Sequence, residues 1–195
     1  MLRIVLIRPG STDYDEEERI QGTLDIPLNA QGSSEVAQAI DDLREKGIET
    51  VYAPPCEPAQ ETGKVVAREL NAKFKKLDRM RNLDHGLWQG MLVEDVHHKQ
   101  PKVYRQWQEK PESVCPPQGE TLSHAGDRVR TAMIRLLKRH KDGVIAIVVP
   151  EPLLSLVRCF IKHDNELGDL WKAPNGHGRW EIIEVEPEKV LATSQ

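Results

Sequence analysis

Two nearly uninterrupted apolar runs, Leu2–Ile7 and residues 144–149, constrain this chain more than any other feature. Runs of that length, without polar alternation, are expected of strands buried on both faces, as in a parallel sheet covered by helices. Elsewhere the apolar period becomes helical. Val36, Ala37, Ile40 and Leu43 share one helical face, and Gly47 marks the stop. Residues 49–53 read as a second strand. Thr62, Val65, Val66 and Leu70 read as the inner side of a helix, and residues 74–77 as a third strand. Residues 101–110 predict a short helix with proline in its first turn, where the missing N–H is tolerated. The clearest helix spans residues 120–141, with Leu122, Ala125, Val129, Ala132, Met133, Leu136 and Leu137 on one stripe. Leu153, Leu156, Val157, Phe160 and Ile161 face inward on a further helix, and residues 179–186 form the last strand. This alternation predicts an α/β fold, a three-layer α/β/α sandwich around a largely parallel central sheet. Sites in such folds gather beyond the carboxyl ends of the strands.

A chain of 195 residues is expected to form one domain, residues 1–195, around one sizeable core. The net charge of −4 argues against a nucleic-acid partner, which needs clustered Lys and Arg. Lys73, Lys75, Lys76, Arg79 and Arg81 are the local exception and read as a solvated strand edge. The opening strand is too short and too charged at Arg3 for a signal peptide, and no apolar stretch approaches the roughly 20 residues that span a bilayer. Cys56, Cys115 and Cys159 are odd in number and lack a paired spacing, which fits reduced thiols and a cytoplasmic location. The proline-rich residues 110–117 read as a surface loop.

Several spaced motifs agree in order along the chain. Arg8-Pro9-Gly10-Ser11-Thr12 follows the first strand, then come Arg19-Ile20-Gln21-Gly22 and Asp25-Ile26-Pro27-Leu28-Asn29. Tyr52-Ala53-Pro54-Pro55, Glu61-Thr62, Gly86-Leu87-Trp88-Gln89-Gly90 and Pro116-Pro117-Gln118-Gly119-Glu120-Thr121 complete the series. Together they resemble the phosphoglycerate mutase-like histidine phosphatase family. The resemblance implies a phosphoglycerate mutase-like sandwich and phosphomonoester phosphatase or phosphoglycerate mutase chemistry. In that chemistry a histidine attacks phosphorus and a carboxylic acid protonates the leaving oxygen. Two arginines and a second histidine hold the phosphoryl oxygens.

Carried over position by position, the family's catalytic set falls on Arg8, Pro9, Pro58, Asn82 and Pro150. Proline nitrogen is tied into the backbone amide and attacks nothing, and an amide delivers no proton. Asp15 and Glu151 add negative charge near the expected pocket. A carboxylate beside a phosphate costs roughly 4 kcal/mol at about 4 Å for an effective dielectric of about 20. Phosphate binding is therefore expected to be weak or absent. The implied function is a catalytically inactive, phosphatase-shaped protein that binds a protein or small-molecule ligand through a remodelled pocket. The ligand-binding candidates are Arg8, Gly10, Ser11, Asp15, Gln21, Gly22, Arg81, Asn82, His85, Glu151 and His177.

Two alternatives stand beside this. One is a phosphatase or hydrolase of altered chemistry, with His85, Asp84 or His177 and a water nucleophile; the other is a structural, oligomerising domain. No cofactor and no metal are expected. His97 and His98 project about 100° apart on a helix and rarely share an ion. Cys56 reads as a small apolar filler, and Trp88, Trp107, Trp171 and Trp180 as buried rings.

Overall fold

The computed structural model describes residues 1–163, 176 and 178–193. In chain order the elements are β1 (Leu2–Ile7), α1 (Asp13–Glu16), α2 (Ala30–Leu43), β2 (Thr50–Ala53), α3 (Ala59–Glu69) and β3 (Lys73–Lys76). After a 3-10 turn at Gly86–Trp88 come α4 (Val93–Lys99), α5 (Pro101–Glu109), α6 (Leu122–Arg139), β4 (Gly143–Val148), α7 (Leu153–Lys162), β5 (Trp180–Val185) and α8 (Pro187–Thr193).

The strands form one sheet in the order β3-β2-β4-β1-β5. β1, β2, β3 and β4 run parallel, and β5 closes the β1 edge antiparallel. Side chains alternate across the sheet because successive Cβ atoms of a strand point to opposite faces. Leu2, Ile4 and Leu6 enter one core with Leu122, Val129, Met133 and Leu137 of α6 and Leu153 and Val157 of α7. Val5 and Ile7 enter the other with Val36, Ile40 and Leu43 of α2 and Val66 of α3. These two cores are the contacts between three layers, so the α/β/α sandwich expected from the sequence is the observed architecture. All seven residues of the α6 stripe are buried, as their spacing predicts.

A third, smaller cluster stands apart from the sheet. Ile20, Trp88, Val96, Trp107 and Val114 pack together there, with Val93 and Tyr104 against them.

Four local readings need correction. Ala37 is exposed and Ala39 takes its place in the core, because α2 begins at Ala30 and its buried face is Gly32, Val36, Ala39, Ile40 and Leu43. Residues 110–117 are more than a surface loop: Pro111–Ser113 form a 3-10 turn, and Val114 and Pro116 are buried. Helices α4 and α8 had no visible stripe in the sequence, since α4 buries Val96 alone and α8 only Pro187 and Val190. Trp180 is only half-buried, and Trp171 lies outside the described residues.

Candidate active site

The carboxyl ends of β1 and β4 open onto one cavity of about 260 Å³. Its floor starts with the segment that follows β1. Arg8 continues the strand by donating its N–H to Arg179 O at 2.9 Å. The next residues then turn beneath α2 and α3. Gly10 N donates to Thr62 Oγ1 at 3.3 Å, and Ser11 donates from N and Oγ to Glu35 at 2.9 and 2.7 Å. The turn is pressed against the first turn of α2 so closely that a Cβ on Gly32 would lie 2.1 Å from Ser11 O. Thr12 donates from N and Oγ1 to Asp15 at 2.8 and 2.7 Å, which fixes that carboxylate at the start of α1.

Of the expected residues, Arg8, Pro9, Gly10, Asp15, Gln21 and Gly22 line the cavity, as do Pro58, Asn82, His85, Pro150 and Glu151. The positions that the resemblance assigns to both histidines therefore sit at the site, as prolines. Ser11, Arg81 and Asp84 are not in the lining. Ser11 is committed to Glu35, and Arg81 is exposed with one 3.4 Å contact to Thr23 O. Asp84 Oδ1 accepts from Gly86 N at 2.8 Å. His177 lies outside the described residues.

The sequence reading missed Arg19, Ile20, Val93, Trp107 and Pro152 as lining residues. Arg19 and Ile20 stood in a quoted motif, so their signal was present. Trp107 is placed by the packing of α5 against Trp88, which no local pattern discloses.

The segment that carries Asn82 is held by a long-range device. Arg128 of α6 pairs with Glu120 at 2.7 Å and donates to the main-chain oxygens of Arg79, Arg81 and Asn82 at 2.7, 2.7 and 3.1 Å. His85 is 5% exposed, and its Nδ1 is enclosed without a hydrogen-bond partner among the described residues. Burial pulls its pKa down to about 4 against the opposing charges of Asp84 and Glu120. The imidazole is thus neutral at physiological pH. Burial also pulls the Arg8 guanidinium below its ordinary value, while Glu151, Asp15 and Glu35 push it up and Arg179 pulls it down. Cys56 is buried, and that burial pushes its thiol up, which suits a filler and not a thiolate nucleophile.

Among the described residues, no group of three or more His, Cys, Asp and Glu side chains is placed to hold a metal ion. His97 and His98 stack on each other on the α4 surface, with His98 Nε2 3.2 Å from Glu94. No helix of the described residues is long and apolar enough to cross a membrane.

The site is an arginine-bearing cavity over the carboxyl ends of parallel strands, where ligand sites of α/β sheets gather. The chain belongs to the histidine phosphatase superfamily (branch 1), whose family model matches residues 4–194. Phosphoserine phosphatase 1 of Hydrogenobacter thermophilus is 26% identical over 189 residues, covering 97% of this chain and 89% of that protein. The chain spans only 40% of the length of an uncharacterized Mycobacterium bovis relative and 64% of that of phosphoglycerate mutase-like protein 4 of Arabidopsis thaliana. Among solved structures, YhfR of Bacillus stearothermophilus superposes with a TM-score of 0.84 at 24% identity, covering 95% of this chain and 92% of that one. The mycobacterial glucosyl-3-phosphoglycerate phosphatase in complex with VO3 gives 0.81 at 21% identity, covering 93% and 90%.

These relatives overturn the expectation of a catalytically inactive binding protein. The family and the relative that matches almost the whole chain are phosphatases. Pro9 and Pro150 remove only the covalent route through a phosphohistidine. Hydrolysis by water does not need that histidine, and the cavity holds Arg8 and a neutral imidazole.

Proposed function

We propose that this chain hydrolyses a phosphomonoester by directing a water molecule at phosphorus, without a phosphohistidine intermediate. One observation carries the reading: a single cavity is lined both by the Arg8 guanidinium and by the neutral, buried imidazole of His85. Arg8 offers fixed donors and positive charge to the phosphoryl oxygens, and the Asn82 amide offers further donors. A neutral imidazole accepts the proton that water loses as it attacks.

In this step the water oxygen bonds to phosphorus while the bond from phosphorus to the ester oxygen breaks. The water proton passes to His85 and on to solvent, and the leaving oxygen, on the far side of phosphorus, takes a proton from solvent. A base with a pKa near 4 is weak, so turnover is expected to be modest. Asp15 and Glu151 in the same lining keep affinity for free phosphate low. The likeness to a phosphoserine phosphatase supports the reaction class. Turnover of p-nitrophenyl phosphate by the wild type, Arg8→Ala and His85→Gln tests the reading. Each substitution should lower kcat/KM by about 10²–10³. Equal turnover by all three proteins overturns it.

A further inference from the structure

Resting on that reading, we propose that the organic part of the substrate is one small apolar or aromatic group, and that esters carrying a second anionic group are rejected. The cavity lining divides by chemistry. Arg8 and Asn82 supply donors for a phosphoryl end, whereas Ile20, Val93 and Trp107 supply an apolar wall. That wall is built before any ligand arrives, because its residues belong to the separate cluster around Trp88 and Val96. Trp107 is fixed there by edge-on contacts to Trp88 and His85, with ring centroids 5.6 and 5.7 Å away.

Size limits the group further. At about 260 Å³ the cavity falls below the roughly 300–1,000 Å³ that drug-sized ligands occupy. It encloses a phosphoryl group and about one ring-sized substituent, and a larger group would extend into solvent.

Charge sets the second half of the inference. Two guanidinium groups, Arg8 and Arg19, and two carboxylates, Asp15 and Glu151, lie in the lining, so its formal charges cancel before substrate enters. Arg19 also pairs with Glu17 and donates to Gly90 O at 2.8 Å. The phosphoryl group already draws on Arg8. A further carboxylate or phosphate on the substrate would lose water and meet Asp15 or Glu151. The adjoining cavity that shares Arg8 brings in Arg158 and Arg179 beside Glu181; Arg158 is forked onto Glu181 at 2.8 and 2.6 Å, and Arg179 lies outside the lining that would hold the phosphoryl group.

Non-hydrolysable phosphonates separate this inference from the hydrolase reading. Calorimetry on the wild-type protein would compare phenylphosphonate, methylphosphonate and phosphonoacetate. Phenylphosphonate is expected to bind tighter than either of the others by about tenfold or more. Val93→Asn, which changes the wall without touching the phosphoryl end, should cut that preference by about threefold or more. Phosphonoacetate binding as tightly as phenylphosphonate, or a preference unmoved by Val93→Asn, overturns the inference. Binding of none of the three overturns it together with the hydrolase reading. Turnover of phenyl phosphate is measured alongside: preference without turnover sinks only the hydrolase reading, and turnover without preference sinks only this inference.

Discussion

His85 and Trp107 meet edge to face, with ring centroids 5.7 Å apart and planes at 77°. The contact keeps the imidazole in the cavity wall and out of water, which is what holds its pKa down to about 4. In the unfolded chain the same ring has an ordinary value near 6.5. The unfolded state therefore binds more protons between those two values, and stability falls as pH drops from about 6.5 to about 4, then changes no further on this account. The full difference corresponds to about 3 kcal/mol. Replacing His85 by Phe should flatten the stability profile in that window, as measured by urea unfolding at a series of pH values. An NMR titration of the wild-type ring should place its midpoint well below 6.5.

Glu151 shares the lining with Arg8 and pushes the guanidinium pKa up. Glu151→Gln keeps an oxygen to accept from Ser155 N, which lies 3.1 Å from the native carboxylate, but removes its charge. Phosphate and vanadate affinity should rise by about tenfold in this variant, read by calorimetry. Arg8→Ala should abolish that binding in the same assay.

Arg128 holds three main-chain oxygens of the segment that carries Asn82. Arg128→Met leaves those carbonyls and Glu120 without their donor, which should cost about 2 kcal/mol of stability. Turnover should fall further than the unfolded fraction explains, because Asn82 loses its fixed position. Denaturant melts and kcat on the same preparation separate the two effects.

Gly32 leaves no room for a Cβ against Ser11. Gly32→Ala should push the Arg8–Thr12 turn off α2, at a cost of about 1–3 kcal/mol, and move Arg8 with it. A variant with wild-type melting temperature and wild-type turnover would contradict that placement.

The sheet and its helices were legible because their residues carry strong periods. Leu2–Ile7 reads as a doubly buried strand, and the α6 stripe from Leu122 to Leu137 needs nothing but helical spacing. The residues after β1 were legible through motif order. What escaped was set by contacts between distant segments. Val93 and Trp107 become a cavity wall only when α4 and α5 fold over Trp88. Arg128 gives no signal in the sequence, because the main-chain oxygens it holds lie 46 to 49 residues away. The functional reading went astray for a related reason. Missing groups are visible in a sequence, whereas the burial that makes His85 neutral appears only once the cavity is assembled.

On the proposed mechanism water attacks phosphorus with His85 as base, and no covalent intermediate forms. A rapid-quench single turnover with a radiolabelled aryl phosphate tests it most directly, counting both released phosphate and label bound to protein. Released phosphate with no label on the protein at any time is expected, together with a single-turnover rate about 10²-fold or more lower in His85→Gln. Label trapped on the protein, or release that His85→Gln leaves unchanged, would contradict it.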